Sequence, residues 1–372
     1  MTRTPKRRFG RWALAICAVP LAALSFAPAA SAATKKKDKD PTLKVMTRNI
    51  YLGGNIFLPI GAPDRPTFEA KTTELWNQIQ FTNFPARAKL LANEVKKTSP
   101  DLIGLQEVAI WRRSPTGVKD GSATPSTQVV YDFLKSLNKE LKAKGLKYRT
   151  ATVQQAADIE APTQQYDVRL TMRDVILVKR QKGGVKITKT GGQQYKANIG
   201  VPVQTGVITS KRGFTYVDAS LKGRKFRFID THLESAAEAP RVAQAKELVA
   251  AGGPTRTSRP TIVGGDLNSD RLNKTGAGPV AYKTIIGAGF KDAWLQATKG
   301  KETPYTCCLN NALANDPPPF PADHRIDHIL LKGKKLRGLK ATVVGKDPKN
   351  RTASGLWPSD HAGWVATLRL KK

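Results

Sequence analysis

Six short apolar runs in this chain each lead into a residue able to do chemistry. Lys44-Val45-Met46-Thr47-Arg48 runs into Asn49, and Leu102-Ile103-Gly104-Leu105-Gln106 runs into Glu107. Phe228-Ile229-Asp230-Thr231 reaches His232, with Leu233-Glu234 behind it. Ile262-Val263-Gly264-Gly265 reaches Asp266, with Asn268 two residues on. Arg325-Ile326 precedes Asp327, and Ser359 precedes Asp360-His361. Strand ends are rigid platforms, so several converging on one sheet edge would gather polar groups from distant sequence into one site. Carboxylate and amide oxygens without cysteine ligands suit magnesium, calcium or manganese rather than zinc. Two histidines supply a proton donor and an acceptor near neutral pH. A hard cation, an acid/base pair and polarising amides are what hydrolysis of a phosphate ester requires.

Taken singly, each residue has a plainer reading. Glu107 would be a surface or capping carboxylate, Asp266-Leu267-Asn268 a turn, and Asp327 a strand-end salt-bridge partner. The weight lies in six such coincidences in one chain. Only four histidines exist, and two fall inside these runs. His324 and His328 have no carboxylate-rich run of their own and read as structural or surface residues.

The elements that must position these residues alternate between short strands and amphipathic helices. Leu43–Ile50, Leu102–Gln106, Val175–Val178, Phe226–Asp230, Thr261–Val263 and Ile326–Leu331 read as strands. Phe214–Leu221 and Lys225–His232, split by Lys222-Gly223-Arg224, read as a hairpin, which excludes a purely parallel sheet. Phe68–Ile79, Ala86–Lys97, Thr127–Lys144 and Ala239–Ala251 read as helices. In the second, Ala88, Leu91, Ala92 and Val95 share one face. Pro100 ends any helix before the strand that leads to Glu107. Segments 110–126 and 301–324 are rich in Pro, Gly, Ser and Asn and read as long surface loops shaping a cleft.

The 372 residues carry 62 Lys+Arg against 29 Asp+Glu, a formal +33, a field that favours nucleic acid, anionic membrane surface or phosphorylated substrates. With 40% apolar residues, disorder along the whole chain is excluded. Arg3, Lys6, Arg7, Arg8 and Arg11 precede an apolar stretch from Trp12 to Ala30 that ends in Ala30-Ser31-Ala32, the pattern of a signal peptide cleaved near Ala32. Ile16 is too bulky for Cys17 to sit in a lipobox. Residues 1–32 are therefore expected to be a signal peptide, 33–42 a basic linker, and 43–372 one catalytic domain that is secreted. Loss of the five basic residues in 1–32 would leave +28 of the +33. Cys307 and Cys308 then remain as an adjacent pair, expected to form a vicinal disulfide stiffening a loop near the active site.

In order along the chain, Asn49, Leu105-Gln106-Glu107, Thr231-His232-Leu233-Glu234, Gly265-Asp266-Leu267-Asn268, Arg325-Ile326-Asp327 and Ser359-Asp360-His361 resemble the endonuclease/exonuclease/phosphatase superfamily. The resemblance spans about residues 43–370. It groups the chain with pancreatic-type deoxyribonuclease, exonuclease III-type repair enzymes, inositol polyphosphate 5-phosphatases and neutral sphingomyelinases. It implies an α/β fold, a four-layer sandwich of two packed mixed β-sheets flanked by helices. It further implies that Glu107 ligates magnesium (manganese or calcium being alternatives), with Asn49 beside it and Asp360 contributing to a metal site. Asp266 would orient or deprotonate the attacking water, Asn268 would hold the scissile phosphate, and Asp327 would pair with His361. His232 would act as acid or phosphate binder, with Glu160 as its carboxylate partner, and Arg173 would clamp a phosphate oxygen.

The expected activity is metal-dependent phosphodiester hydrolysis, first of all on DNA or RNA, which the net charge would attract. A sphingomyelinase- or phospholipase C-like activity at an anionic lipid surface is the runner-up. It would call for an exposed apolar element, for which Trp111 and Pro317-Pro318-Pro319-Phe320-Pro321 are the candidates. Inositol phosphate hydrolysis is third, and a catalytically dead binding module is the competing class. No stable protein partner is implied.

Overall fold

The run Leu102–Gln106 is buried at every position, as in a strand covered on both faces. The computed structural model describes residues 40–120, 123–272, 278–301, 305–314 and 323–372, and Asp40–Lys372 forms one unit. In chain order its elements begin with β1 (Thr42–Asn49), α1 (Arg65–Phe81), α2 (Phe84–Thr98), β2 (Leu102–Gln106), β3 (Ile110–Arg113), β4 (Gln128–Asp132) and α3 (Phe133–Ala143). Next come β5 (Tyr148–Pro162), β6 (Asp167–Lys179), β7 (Lys186–Gln194), β8 (Ile199–Val203), β9 (Gly206–Ser210), β10 (Gly213–Leu221) and β11 (Arg224–His232). The chain continues with α4 (Glu238–Val249), β12 (Thr261–Asp266), α5 (Val280–Gly287), β13 (Lys291–Asp292) and α6 (Ala293–Ala297). It closes with β14 (Asp327–Lys332), β15 (Leu336–Val344) and β16 (Gly363–Leu370).

One sheet runs β15-β16-β1-β2-β6-β3-β4, with β5 also paired to β6; the other runs β13-β14-β12-β11-β10-β7. β1 with β2 and β11 with β12 are parallel, and the remaining pairs of these sheets are antiparallel, so both sheets are mixed. Alternation along the strands sorts side chains into layers. Leu43, Val45, Leu102 and Ile176 meet Phe226, Phe228, Ile262 and Ile329 between the sheets. On the far side of the first sheet, Met46, Ile103 and Leu177 pack against Trp76, Ala88, Leu91 and Leu137 of α1, α2 and α3. Ile229, Val263 and Leu330 cover the second sheet's outer face under Ala245, Leu248 and Ile285 of α4 and α5. The result is the expected four-layer α/β sandwich.

Local chemistry sets the boundaries. Asp64 caps α1 by accepting from Thr67 N, Asn83 caps α2, and Ser99 ends α2 in the left-handed region just before Pro100. The hairpin of β10 and β11 closes through Lys222 and Gly223, both at positive φ, as a two-residue loop. Three expectations are corrected. Thr127–Lys144 is not one helix: Val129, Val130 and Tyr131 lie in β4, paired with β3, and Asp132 caps the helix that starts at Phe133. Segment 110–126 is not all loop, because Ile110–Arg113 pairs with both β4 and β6. Trp111 is no membrane element, being buried with its indole N–H donated to Leu52 O. Pro317–Pro321, the signal peptide of 1–32 and residues 33–39 of the linker lie outside the described residues. Among those described, no helix is long and apolar enough to cross a membrane.

Candidate active site

Strand register brings the chemistry to one edge. In the parallel pair β1/β2, Asn49 lies opposite Gln106, one residue before Glu107. In the second sheet His232 lies opposite Asp266, and Asp266 opposite Asp327. Asp360 and His361 sit just before β16, whose antiparallel pairing with β1 returns them to the same end. Gly265 makes the close approach before Asp266, since a Cβ there would run into Thr231 O.

Asn49 joins the two sheets. Its Nδ2 donates to Glu107 Oε1 and to Asp266 Oδ2, both at 3.1 Å, and its Oδ1 accepts from Tyr51 N. Glu107, at φ 60°, has Oε2 fixed by Leu52 N at 2.8 Å. Asp266 Oδ1 accepts from Asn268 N at 2.9 Å, and Asn268 Nδ2 donates to Leu233 O. His361 Nδ1 lies 2.9 Å from Asp327 Oδ2, and its Nε2 lies 3.8 Å from Asp266 Oδ2. His232 Nε2 lies 3.5 Å from the same Asp266 oxygen. Cys307 and Cys308 are disulfide-bonded, with Cys307 Sγ 3.4 Å from His361 Nε2, and both line the cleft with Glu107, Asp266 and Asp360. The pair is where the sequence expects it.

Electrostatics separates the two histidines. Burial alone would lower the pKa of His361, but the carboxylates of Asp327, Asp360 and Asp266 hold it well above its ordinary value. Burial, Arg212 and the charge of His361 push His232 well below. Burial, reinforced by Asp327, raises Asp266 to about 7. Asp360 rises to about 6, chiefly through burial, with Glu107 adding and His361 opposing. Such splitting assigns proton donor and acceptor roles to neighbouring groups.

Of the expected site residues, Asn49, Glu107, His232, Asp266, Asn268, Asp327, Asp360 and His361 come together. Two do not. Glu160, opposite Arg169 in the β5/β6 register, accepts from Ser126 N and Ser126 Oγ, so it is not the partner of His232. Arg173 Nε donates to Val108 O and its Nη2 to Asp132, and the side chain does not line the cleft that holds Glu107, Asp266 and His361. The residue beside His232 is instead Arg212, whose Nη1 is 3.1 Å from both ring nitrogens, while its Nη2 donates to Ser235 Oγ. Asp174 was also missed. It is fully buried beneath the site with both oxygens unpartnered, and burial raises it to about 8. No local signal marks either residue, one among 62 basic side chains and the other inside an apolar strand.

The donor set fits a hard divalent cation. Glu107, Asp266 and Asp360 crowd oxygen donors around one cleft, where burial, with the nearby charges of Asp327 on Asp266 and of Glu107 on Asp360 adding to it, raises the pKa of both aspartates. Asp266, Asp327 and His361 also place ligand atoms within 4.8 Å of one another.

The family model described as "Endonuclease/Exonuclease/phosphatase family" matches residues 75–361. Comparison with curated proteins gives no match. Among solved structures, a family protein from Bacteroides thetaiotaomicron superposes with TM-score 0.54 at 15% identity, covering 90% of this chain and 100% of that one. A mannosyl-6-phosphatase from B. thetaiotaomicron VPI-5482 gives 0.51 at 17%, covering 88% and 99%. D. rerio TDP2 complexed with a single-strand DNA product gives 0.50 at 16%, covering 89% and 100%. At such identities the likeness establishes the fold.

Proposed function

The chain belongs to the endonuclease/exonuclease/phosphatase family of metal-dependent phosphoesterases, and we propose that it is an exported, magnesium-dependent phosphodiesterase whose first substrate class is nucleic acid. The observation that carries this reading is the cluster in which Asn49 hydrogen-bonds Glu107 and Asp266, His361 pairs with Asp327, and His361 Nε2 lies 3.8 Å from Asp266 Oδ2. Glu107 and Asp360, with Asn49 beside them, would hold the cation, which supplies charge neutralisation at the reacting phosphate when bound. Asp266, near neutral acidity and fixed by Asn49 and Asn268, orients the attacking water and takes its proton. His361, kept charged by Asp327, gives a proton to the leaving oxygen from Nε2. His232, kept neutral beside Arg212, binds the phosphate instead of serving as the acid.

The formal +28 that remains once the five basic residues of 1–32 are removed from the +33 supports nucleic acid as substrate, since phosphate neutralisation releases counterions. The DNA-bound TDP2 of the same fold is consistent with that choice. A second reading, a sphingomyelinase- or phospholipase C-like activity, has one specific observation behind it: an apolar cavity that shares walls with the cleft. Plasmid DNA, RNA and sphingomyelin assayed side by side with magnesium separate the two. Hydrolysis of DNA or RNA that stops with EDTA and returns with added Mg²⁺ is expected. Hydrolysis that survives thorough chelation, or inertness toward every phosphodiester, sinks the proposal.

A further inference from the structure

Thiolate is a soft metal ligand and a disulfide sulfur is not, so an adjacent cysteine pair offers a metal nothing until its bond is opened. Cys307 is fully buried, Cys308 is exposed, and both border the cleft. The backbone on either side of the pair is tied to the backbone around His361. Leu309 N donates to Asp360 O at 3.0 Å, and Ala362 N donates to Thr306 O at 2.6 Å. Cys307 is also bonded in both directions to His324, its N donating at 3.1 Å and its O accepting at 2.9 Å. None of these bonds involves sulfur, so opening the disulfide leaves both side chains against the imidazole.

The distances around His361 suit a tetrahedral zinc ion. Bonds of about 2.3 Å to sulfur and about 2.0–2.1 Å to nitrogen put those two atoms about 3.6 Å apart across a tetrahedral angle. Cys307 Sγ lies 3.4 Å from His361 Nε2. The ligand atoms of Cys307, Cys308 and His361 all fall within 4.8 Å of one another. His361 is already oriented as a ligand. Its Nδ1 is held 2.9 Å from Asp327 Oδ2, the carboxylate–histidine arrangement that fixes the ring and turns Nε2 to a metal. Asp266 Oδ2, 3.8 Å from Nε2, or a water completes the set. Glu107 and Asp360 offer only oxygen, so the sulfurs set this site apart from the magnesium position. We propose that reduction of the Cys307–Cys308 disulfide opens a soft-metal site, formed by the two sulfurs and His361 Nε2, at which zinc switches the enzyme off. A dithiol reductant reaches the exposed Cys308 sulfur, closes to its own disulfide and passes two electrons and two protons to the pair. Zinc then displaces the two thiol protons and the Nε2 proton of His361 to solvent. The blockade rests on the reading of His361 as proton donor; the metal site itself does not.

The test compares the oxidised and reduced forms of the chain beginning at residue 33, which carries no other cysteine. The dithiol is removed under nitrogen, and the reduced protein is checked for two thiols and an unchanged circular dichroism spectrum. Cobalt(II) should give thiolate-to-metal charge-transfer absorption in the reduced protein alone, and zinc should abolish it. Cys308→Ser should lose the band. Asp327→Asn, which removes the carboxylate behind the imidazole, should weaken zinc binding by about 10- to 100-fold. With bis(p-nitrophenyl) phosphate and excess magnesium, saturating zinc should lower turnover of the reduced enzyme by about 10²–10⁴-fold, as loss of a general acid does, and of the oxidised enzyme by less than about twofold. A reduced, folded protein with two thiols and no band overturns the site, as does a band that Cys308→Ser leaves unchanged. Inhibition equal in the two redox states, or zinc binding without inhibition, overturns the switch. If no diester is cleaved in any state, the phosphodiesterase reading fails, while the cobalt band still decides the metal site.

Discussion

Arg48 faces away from the cleft, yet it clamps two of the catalytic segments. Its Nε and Nη2 meet Glu94 of α2 at 2.9 and 3.1 Å, and its Nη1 donates to the carbonyls of Asn49 and His361. Both charged groups are buried, at 1% and 4% exposure. Arg48→Met keeps most of the side-chain volume but strands the Glu94 carboxylate. Removing one partner of a buried pair costs about 3–5 kcal/mol. At about 2.1 cal/mol/K per residue, 4 kcal/mol is a Tm loss of roughly 6 °C for a domain of this size. Removing both charges, as in Arg48→Met/Glu94→Leu, takes away the stranded carboxylate but not the need of the two carbonyls for a donor. The double variant is thus expected to regain most of the Tm while kcat stays about 10- to 100-fold down, the scale of an ångström-level misplacement of catalytic groups.

The pH dependence has a definite sign. Burial already holds the pKa of Glu94 above its ordinary value against the pull of Arg48, and without Arg48 it rises further. A carboxyl whose folded value exceeds its unfolded value destabilises the fold fully above the folded value. The penalty fades as pH falls through that value toward the unfolded one, about 4.3. The Tm gap between Arg48→Met and wild type should therefore narrow from pH 8 to pH 5, and that of the double variant should not. Differential scanning calorimetry across this range, with kcat on a diester substrate, is the assay. A double variant no more stable than Arg48→Met refutes the electrostatic account, and one with full activity refutes the clamp.

Glu107→Ala, Asp266→Ala and His361→Ala should each lower kcat by about 10²–10⁴-fold with the circular dichroism spectrum retained; near-wild-type turnover in a folded variant removes that residue from the site. Thiol titration of a chain beginning at residue 33, denatured without reductant, should detect no thiol and, after reduction, two; two before reduction would disprove the Cys307–Cys308 bond. Glu160→Gln and Arg173→Lys should keep kcat within about twofold, because these side chains are bound to Ser126 and to Asp132 away from the cleft; a loss comparable to that of a missing general acid or base would return either residue to the chemistry.

The sandwich and the cleft were legible because one physical pattern marks both. A strand buried on two faces needs an unbroken apolar run, and the run stops where the chain meets the cleft, so Glu107, His232 and Asp266 announce themselves by contrast. Val129-Val130-Tyr131 misled for the converse reason: β4 is an edge strand whose valines remain exposed, and its residues were absorbed into the helical pattern of α3. The clamp made by Arg48 has no local signature either, because its partners Glu94 and His361 are brought to it only by tertiary packing.

The partner of His232 shows where a family resemblance stops being a guide. The resemblance implied Glu160 as its carboxylate partner, but the β5/β6 register turns that carboxylate toward Ser126, and the guanidinium of Arg212 takes the place beside the ring. A carboxylate there would have made His232 a second cation next to His361. Burial, with the guanidinium adding to it, instead keeps it neutral, with Asp266 between the two rings. Two charged imidazoles sharing one carboxylate would compete for it and blur which of them holds a proton. With Arg212 in place, the proton belongs to His361 alone, and under the proposed chemistry the departing oxygen has a single donor. Arg212→Met would therefore act on the proton inventory of the site as well as on phosphate binding.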